Sequence, residues 1–220
     1  MGIISQEKVN NLYWLGRYSE RVYTTIREFF DGYDKMLEDP FYYKIYCESM
    51  QIPNIYQDEP DFIVHYIGDE NDVNSILSNL YRAYDNCIVL RNEIGSETMS
   101  YLELALKSLK EIHDFDSYVL DLQNVLDYLL AFYGSLSENV EDYEVRSIIT
   151  TGKRIERLDL YLRLQKETPV IIQSYTMLDN RLRKNPLLYD KMAMLQLSDM
   201  LSQETIPYME AVQLVERLVD

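Results

Sequence analysis

Two glutamates stand in the same local frame. Gly16-Arg17-Tyr18-Ser19-Glu20-Arg21 and Gly152-Lys153-Arg154-Ile155-Glu156-Arg157 each place a glycine four residues before a glutamate and an arginine directly after it. Four residues is about one helical turn, so each glycine leaves a gap on the face that carries the carboxylate. The missing Cβ lets a second helix or a partner side chain come close, which a carboxylate removed from water needs if its oxygens are to be paired. Ile149 and Leu160 share the face of Glu156, so its surroundings read as apolar. A carboxylate in such a setting can serve as general acid or base, with a neighbouring guanidinium holding an anionic substrate. The same groups can form an ionic layer that is purely structural. Exposed Glu-Arg neighbours on helices are also common, and solvated pairs of that kind contribute little.

A third helix adds to the set. Leu80, Tyr84, Cys87, Arg91 and Ile94 step along an apolar stripe with Arg91 in its midst. A guanidinium on such a stripe must find carboxylates or carbonyls, or the fold loses roughly 3–5 kcal/mol by analogy with broken buried pairs. Glu20, Glu97 and Glu156 are the candidate partners, with Asn86, Glu93 and Glu97 on the adjoining face. The charged cluster to look for is therefore Arg17, Glu20, Arg21, Asn86, Arg91, Glu97, Glu156 and Arg157, on three helices expected to pack together. In an enzyme, Glu20, Glu97 or Glu156 would move the proton, and Arg91 or Arg157 would bind the anion. The pattern assigns no residue as catalytic.

The elements that must position these groups read as helices throughout. Val9, Leu12, Gly16, Ser19, Tyr23, Ile26, Phe30, Tyr33 and Leu37 alternate three- and four-residue steps, which predicts a first helix from about Ser5 to Leu37. Trp14 and Tyr18 lie off that seam and suggest a second buried face. Asp39-Pro40 ends this helix and starts a short one through Phe41, Ile45 and Met50. Phe62-Ile63-Val64 is a short helix or an extended piece. A long central helix is expected from about Val73 to Ile112, bent at Gly95. Further helices follow: one capped by Asp114 or Asp116 and closed by Gly134 and Ser137, one over 142–165, one opened by Thr168-Pro169, and two near 187–201 and 208–219. No alternating strand and no linker is evident. The expected fold is all-α, one bundle of about seven to nine helices over residues 1–220, with long N-terminal and central helices.

Composition narrows the function. Lys+Arg 21 against Asp+Glu 37 gives a net charge of -16, which repels phosphate backbones and anionic headgroups, so nucleic acid and membrane are not expected partners. Two cysteines, Cys47 and Cys87, imply no disulfide framework. With no secretory or membrane-spanning pattern, the expectation is a soluble, cytoplasmic protein. His65 and His113 form no carboxylate-histidine motif, the cysteines lack metal-ligand spacing, and no phosphate-binding or dinucleotide fingerprint is present, so neither metal nor cofactor is expected.

Asn11-Leu12-Tyr13-Trp14-Leu15-Gly16-Arg17-Tyr18-x-Glu20-Arg21 resembles the opening signature of the bacterial alpha-E domain family, an all-helical family without an established activity. Asn86, Arg91, Ile94 and Glu97 resemble its central motif, and Gly152-x-x-x-Glu156-Arg157 its late element. Asp85 and Ile88 depart from the central pattern, and the chain is short for the family. The resemblance implies association with ATP-grasp-like ligases and transglutaminase-like or peptidase proteins in systems that make or attach peptides. Three functions are consistent with this reading: an accessory or scaffolding subunit, a helical acid-base enzyme, and a general helical interaction module, the last with self-association open to it.

Overall fold

A computed structural model of the chain describes residues 5–112, 118–184 and 189–219. Within them lie eleven helices and no strand. The all-α expectation holds, and the count exceeds nine because the central helix is broken into three.

Helix α1 spans Gln6–Glu38, with the Ser5 hydroxyl accepting from the Lys8 amide at its start and Glu7 at the positive end of the dipole. It is the axis of the molecule. It packs along its length on α8 (Tyr143–Arg163) and α4 (Ile76–Val89), and also touches α2 (Tyr42–Met50) and α7 (Tyr118–Asn139). Leu12, Leu15, Val22, Ile26, Phe29 and Met36 are buried, yet Leu37, at the end of the expected seam, is exposed. A straight helix drifts by about 20° per heptad against a strict seven-residue repeat, so after four heptads the seam has rotated away from the core. Trp14 is partly exposed and stacks on Tyr18 at 5.2 Å between ring centroids.

Short helices close one end. Gln51, at φ 56, terminates α2. Asp58 caps α3 (Glu59–Gly68), whose first turn contains Pro60, so Phe62-Ile63-Val64 is helical. Phe62 and Tyr66 stack at 5.0 Å and, with Phe29 and Tyr46, form an aromatic core. The Tyr46 and Tyr66 hydroxyls lie 3.3 Å apart inside it, which gives both a partner in an otherwise apolar setting.

The central helix departs most from expectation. Ser75 caps α4, which ends at Val89. One turn, α5 (Arg91–Ile94), follows, and Gly95 at φ 81 reorients the chain into α6 (Ser96–Lys110). That φ is open to glycine at little cost. Helix α6 pairs with α7, where Thr98 and Ser135 hydroxyls meet at 2.9 Å. Gly134 lies within α7 rather than closing it. Asp142 caps α8, Pro169 lies in the first turn of α9 (Thr168–Leu182), and Asp190 caps α10 (Lys191–Leu201), before α11 (Tyr208–Glu216). His113, Asp114, Asp116, Asn185, Pro186 and Leu187 lie outside the described residues. Among the described residues no helix is long and apolar enough to cross a membrane.

Candidate functional site

Helices α1 and α8 run side by side in the same direction: Gly152 meets the Tyr13 carbonyl, Arg157 meets Glu20, and Lys166 just beyond α8 meets Glu28 at 2.7 Å. Their crossing depends on the two glycines. A Cβ at Gly16 would lie 2.9 Å from the carbonyl carbon of Ile149 and closer still to its oxygen. A Cβ at Gly152 would lie 3.1 Å from the carbonyl carbon of Tyr13, again closer to the oxygen. Each helix thus presses its glycine against the other's backbone, and the two contacts are related by an approximate two-fold axis.

The same axis relates the charges. Glu156, fully buried, accepts from Arg17 Nε at Oε2 and from Arg21 Nε at Oε1, both at 2.5 Å. Glu20, equally buried, accepts at Oε1 from Arg157 Nε at 2.5 Å and from the Thr24 hydroxyl at 3.2 Å. Lys153, which takes the place of Arg17 in the second copy, reaches only to 3.9 Å from Glu20 Oε2. That oxygen has no hydrogen bond. The Lys153 ammonium sits instead 3.1 Å from the centre of the Tyr133 ring, and Ser19 Oγ lies 2.8 Å from the Tyr133 hydroxyl. A cation over an aromatic face gains electrostatic attraction from the ring. Trp14, Tyr13 and Tyr18, off the seam, lie beside the guanidiniums in the same way: Arg17 is 5.1 Å from the Trp14 ring centre and Arg21 is 5.8 Å from that of Tyr18.

Electrostatics follow from this packing. Burial by itself would raise the Glu156 carboxyl, but Arg21 and Arg17 outweigh it and hold the carboxyl below its ordinary value. Burial likewise opposes the charge of Arg17, and Glu156 more than restores it. Burial lowers Lys153 to about 8, with Glu20 opposing and Arg157 and Arg154 adding to the fall. Burial raises Asp159 against the hydrogen bond from Arg163, which reaches it at 2.8 Å. Arg163 also donates to Gln51 and Glu216, tying α8 to the end of α2 and to α11.

Five of the eight sequence candidates, Arg17, Glu20, Arg21, Glu156 and Arg157, come together with no other charged helix needed. Asn86, Arg91 and Glu97 do not join them. Arg91 and Glu97 are exposed; Arg91 donates to the Ser96 hydroxyl at 2.9 Å, and Asn86 donates to the Arg82 carbonyl at 2.7 Å. The stripe through Leu80 and Cys87 does not continue to Arg91, because the chain leaves the axis of α4 at Leu90. Arg91→Ala is therefore expected to change the unfolding free energy by no more than about 0.5 kcal/mol, the range for surface sites, as a urea titration would show. Sequence reasoning passed over Lys153, Thr24, Tyr133, Asp159 and Arg163. One signal was present: in both copies a basic residue directly follows the glycine.

The layer offers little room for chemistry. A cleft of about 180 Å³ opens on the Glu156 side, lined by Arg17, Arg21, Asp159 and Arg163 among others, and one of about 370 Å³ on the Glu20 side, where Lys153 lines it. Neither glutamate lines either cleft. Among the described residues no three of His, Cys, Asp and Glu gather as a metal site.

The sequence model of one family, described as a predicted alpha-helical domain with a conserved ER motif, matches residues 7–202. The chain belongs to the Alpha-E family. Two Glu-Arg pairs of this Alpha-E domain, Glu20-Arg21 and Glu156-Arg157, lie inside that span, and each supplies one half of the buried layer. The glutamate of each pair accepts from the opposite helix, and the arginine beside it donates back, which gives the adjacent Glu and Arg a shared physical reason. No curated protein and no solved structure matches the chain.

Proposed function

We propose that this Alpha-E domain is an accessory or scaffolding subunit of a peptide- or amide-forming system in the cytoplasm, with the ionic layer as its structural centre. The observation that carries this reading is the burial of Glu20 and Glu156, both at 0% exposure. A general acid or base must touch its substrate and titrate near the working pH. Glu156 is held the other way, as a fixed anion between two guanidiniums. The partner class, an ATP-grasp-like ligase or a transglutaminase-like protein, follows from the family resemblance. A net charge of -16 suits a basic surface on that partner and speeds encounter at low salt.

Affinity capture of the full chain from its own cells, at low and at high salt, tests this reading. A ligase-like or transglutaminase-like protein is expected at low salt and in smaller yield at high salt, and the purified chain alone is expected to turn over no amide substrate. Turnover by the chain alone, abolished in a folded Glu20→Gln or Glu156→Gln variant, would replace this reading with the acid-base enzyme. Capture of unrelated proteins alone would favour the general interaction module.

A further inference from the structure

The cleft on the Glu20 side gathers four cations, of which only Lys153 also faces the ionic layer. Arg146, Lys153 and Arg154 of α8 and Arg181 of α9 converge on it, with the hydroxyl-bearing Thr150 and Ser137 in its wall. No Asp or Glu lines it, although acids outnumber bases 37 to 21 in the chain. Five other arginines, Arg17, Arg21, Arg157, Arg163 and Arg183, take carboxylates within hydrogen-bond reach, whereas Arg82 and the exposed Arg91 take neutral acceptors. Among the described residues, Arg146, Arg154 and Arg181 have no such carboxylate. Arg146 turns to the Val140 carbonyl and Arg154 to the Met177 sulfur at 2.9 Å, a weak acceptor.

The spacing on α8 makes this a face rather than a scatter. Arg146, Thr150, Lys153 and Arg154 recur at three- and four-residue steps, so they lie on one side of the helix, and Arg181 approaches from the neighbouring α9. All four cations are partly buried. Burial first, then the charges of Arg157 and Arg181, disfavour the protonated form of Arg154, so the cations repel one another where they stand. Glu20 offsets part of this at Lys153, whose ammonium is 3.9 Å from its Oε2, and at Arg154. Among the described residues Arg146 and Arg181 have no carboxylate within reach, and an anion seated among the four supplies the missing counter-charge.

We propose that this cleft is a binding site for a small, multiply charged phosphate-type anion, held by Arg146, Arg154 and Arg181 with Lys153. Several guanidinium groups suit tetrahedral oxyanions with more than one negative charge, because each can engage two oxygens. The volume of about 370 Å³ is at the low end for small-molecule pockets and exceeds what a lone phosphate needs. The net charge of -16 argues against a nucleic-acid strand, since only a small ligand can reach the cations without crossing a repulsive surface. The site is independent of the accessory role, and its failure would leave that role standing.

Isothermal titration calorimetry of the full chain at fixed ionic strength tests it, with pyrophosphate as the probe and citrate and inorganic phosphate as comparators. Saturable binding of one pyrophosphate is expected, tighter than citrate or phosphate. Arg181→Gln should weaken it by about 10-fold or more, the range for a lost charged hydrogen bond. Arg183→Gln, whose arginine is exposed and paired with Asp179, should leave it unchanged. Circular-dichroism melting establishes that each variant folds, and Arg146→Gln takes the place of Arg181→Gln if the latter does not. No saturable heat, equal affinity in the folded cleft variant, or citrate binding as tightly as pyrophosphate would each overturn the assignment.

Discussion

Glu156→Gln is expected to lower the unfolding free energy by about 3 kcal/mol, because it leaves the buried guanidinium of Arg17, and the partly exposed one of Arg21, without their counter-charge. Arg17 is 8% exposed along its side chain and Glu156 is at 0%, so solvent cannot take over from the carboxylate at Arg17, while at Arg21, 32% exposed, it does so in part. The shift in the urea midpoint at unchanged slope is the measurement. Replacing the whole half-layer, Arg17→Met with Arg21→Met and Glu156→Leu, should recover much of the loss, since an apolar set of similar volume avoids the desolvation that a buried ion pair must offset. The pH dependence has a definite sign. The carboxyl of Glu156 is held below its ordinary value of 4.5, so its stabilisation is complete above that pH and disappears as pH falls through the lower, folded value. Wild-type and Glu156→Gln stabilities should therefore stay apart above about pH 4.5 and converge below it, where the protonated acid resembles the amide. Curves that remain parallel through this range would show that the charge of Glu156 is not what the amide variant lacks.

Gly16→Ala and Gly152→Ala should each cost about 3 kcal/mol, at the upper end of overpacking penalties, because the added methyl meets main chain rather than a flexible side chain. The opposing atoms are the carbonyl groups of Ile149 and Tyr13, which cannot move without shifting a helix. Gly134→Ala supplies the contrast. Nothing lies within 4 Å of a Cβ there, in the interior of α7, so alanine should raise stability by about 0.5–1 kcal/mol through helix propensity and a less free unfolded chain. The double variant of Gly16 and Gly152 should cost less than the sum of the singles, since separating the helices once relieves both clashes. Additive losses would mean that the two contacts yield independently.

Capping chemistry and apolar periodicity made most of the fold legible in the chain. Ser5, Asp142 and Pro169 fall at or near the helix starts they announce, because those signals are local. The site was half legible for the same reason. The repeated glycine, glutamate and arginine marked the faces of α1 and α8, and packing then placed the faces together. Arg91 shows where periodicity stops being informative. Its spacing continues that of Leu80, Tyr84 and Cys87, but α4 ends at Val89 and the chain leaves that axis at Leu90, so Arg91 opens a separate turn and faces solvent while Ile94 stays buried. Thr24 and Tyr133 were invisible for another reason. Tyr133 reaches Lys153 only through the packing of α7 on the layer, and Thr24, a turn beyond Glu20, has a role only because that carboxylate is buried and lacks a second arginine.

The layer also sets a timetable. Arg17 and Glu156 are separated by 139 residues, and the ribosome makes a chain from its N-terminus at about 5–20 residues per second. For roughly 6–25 seconds after α1 is synthesised, its charged face has no counterpart, and the carboxylate and guanidiniums remain hydrated. Helix α1 is thus made well before α8, on which it packs most extensively, can cover its charged face. Nascent chains halted before α8 should keep the segment around Glu20 open to protease, and those halted after it should not.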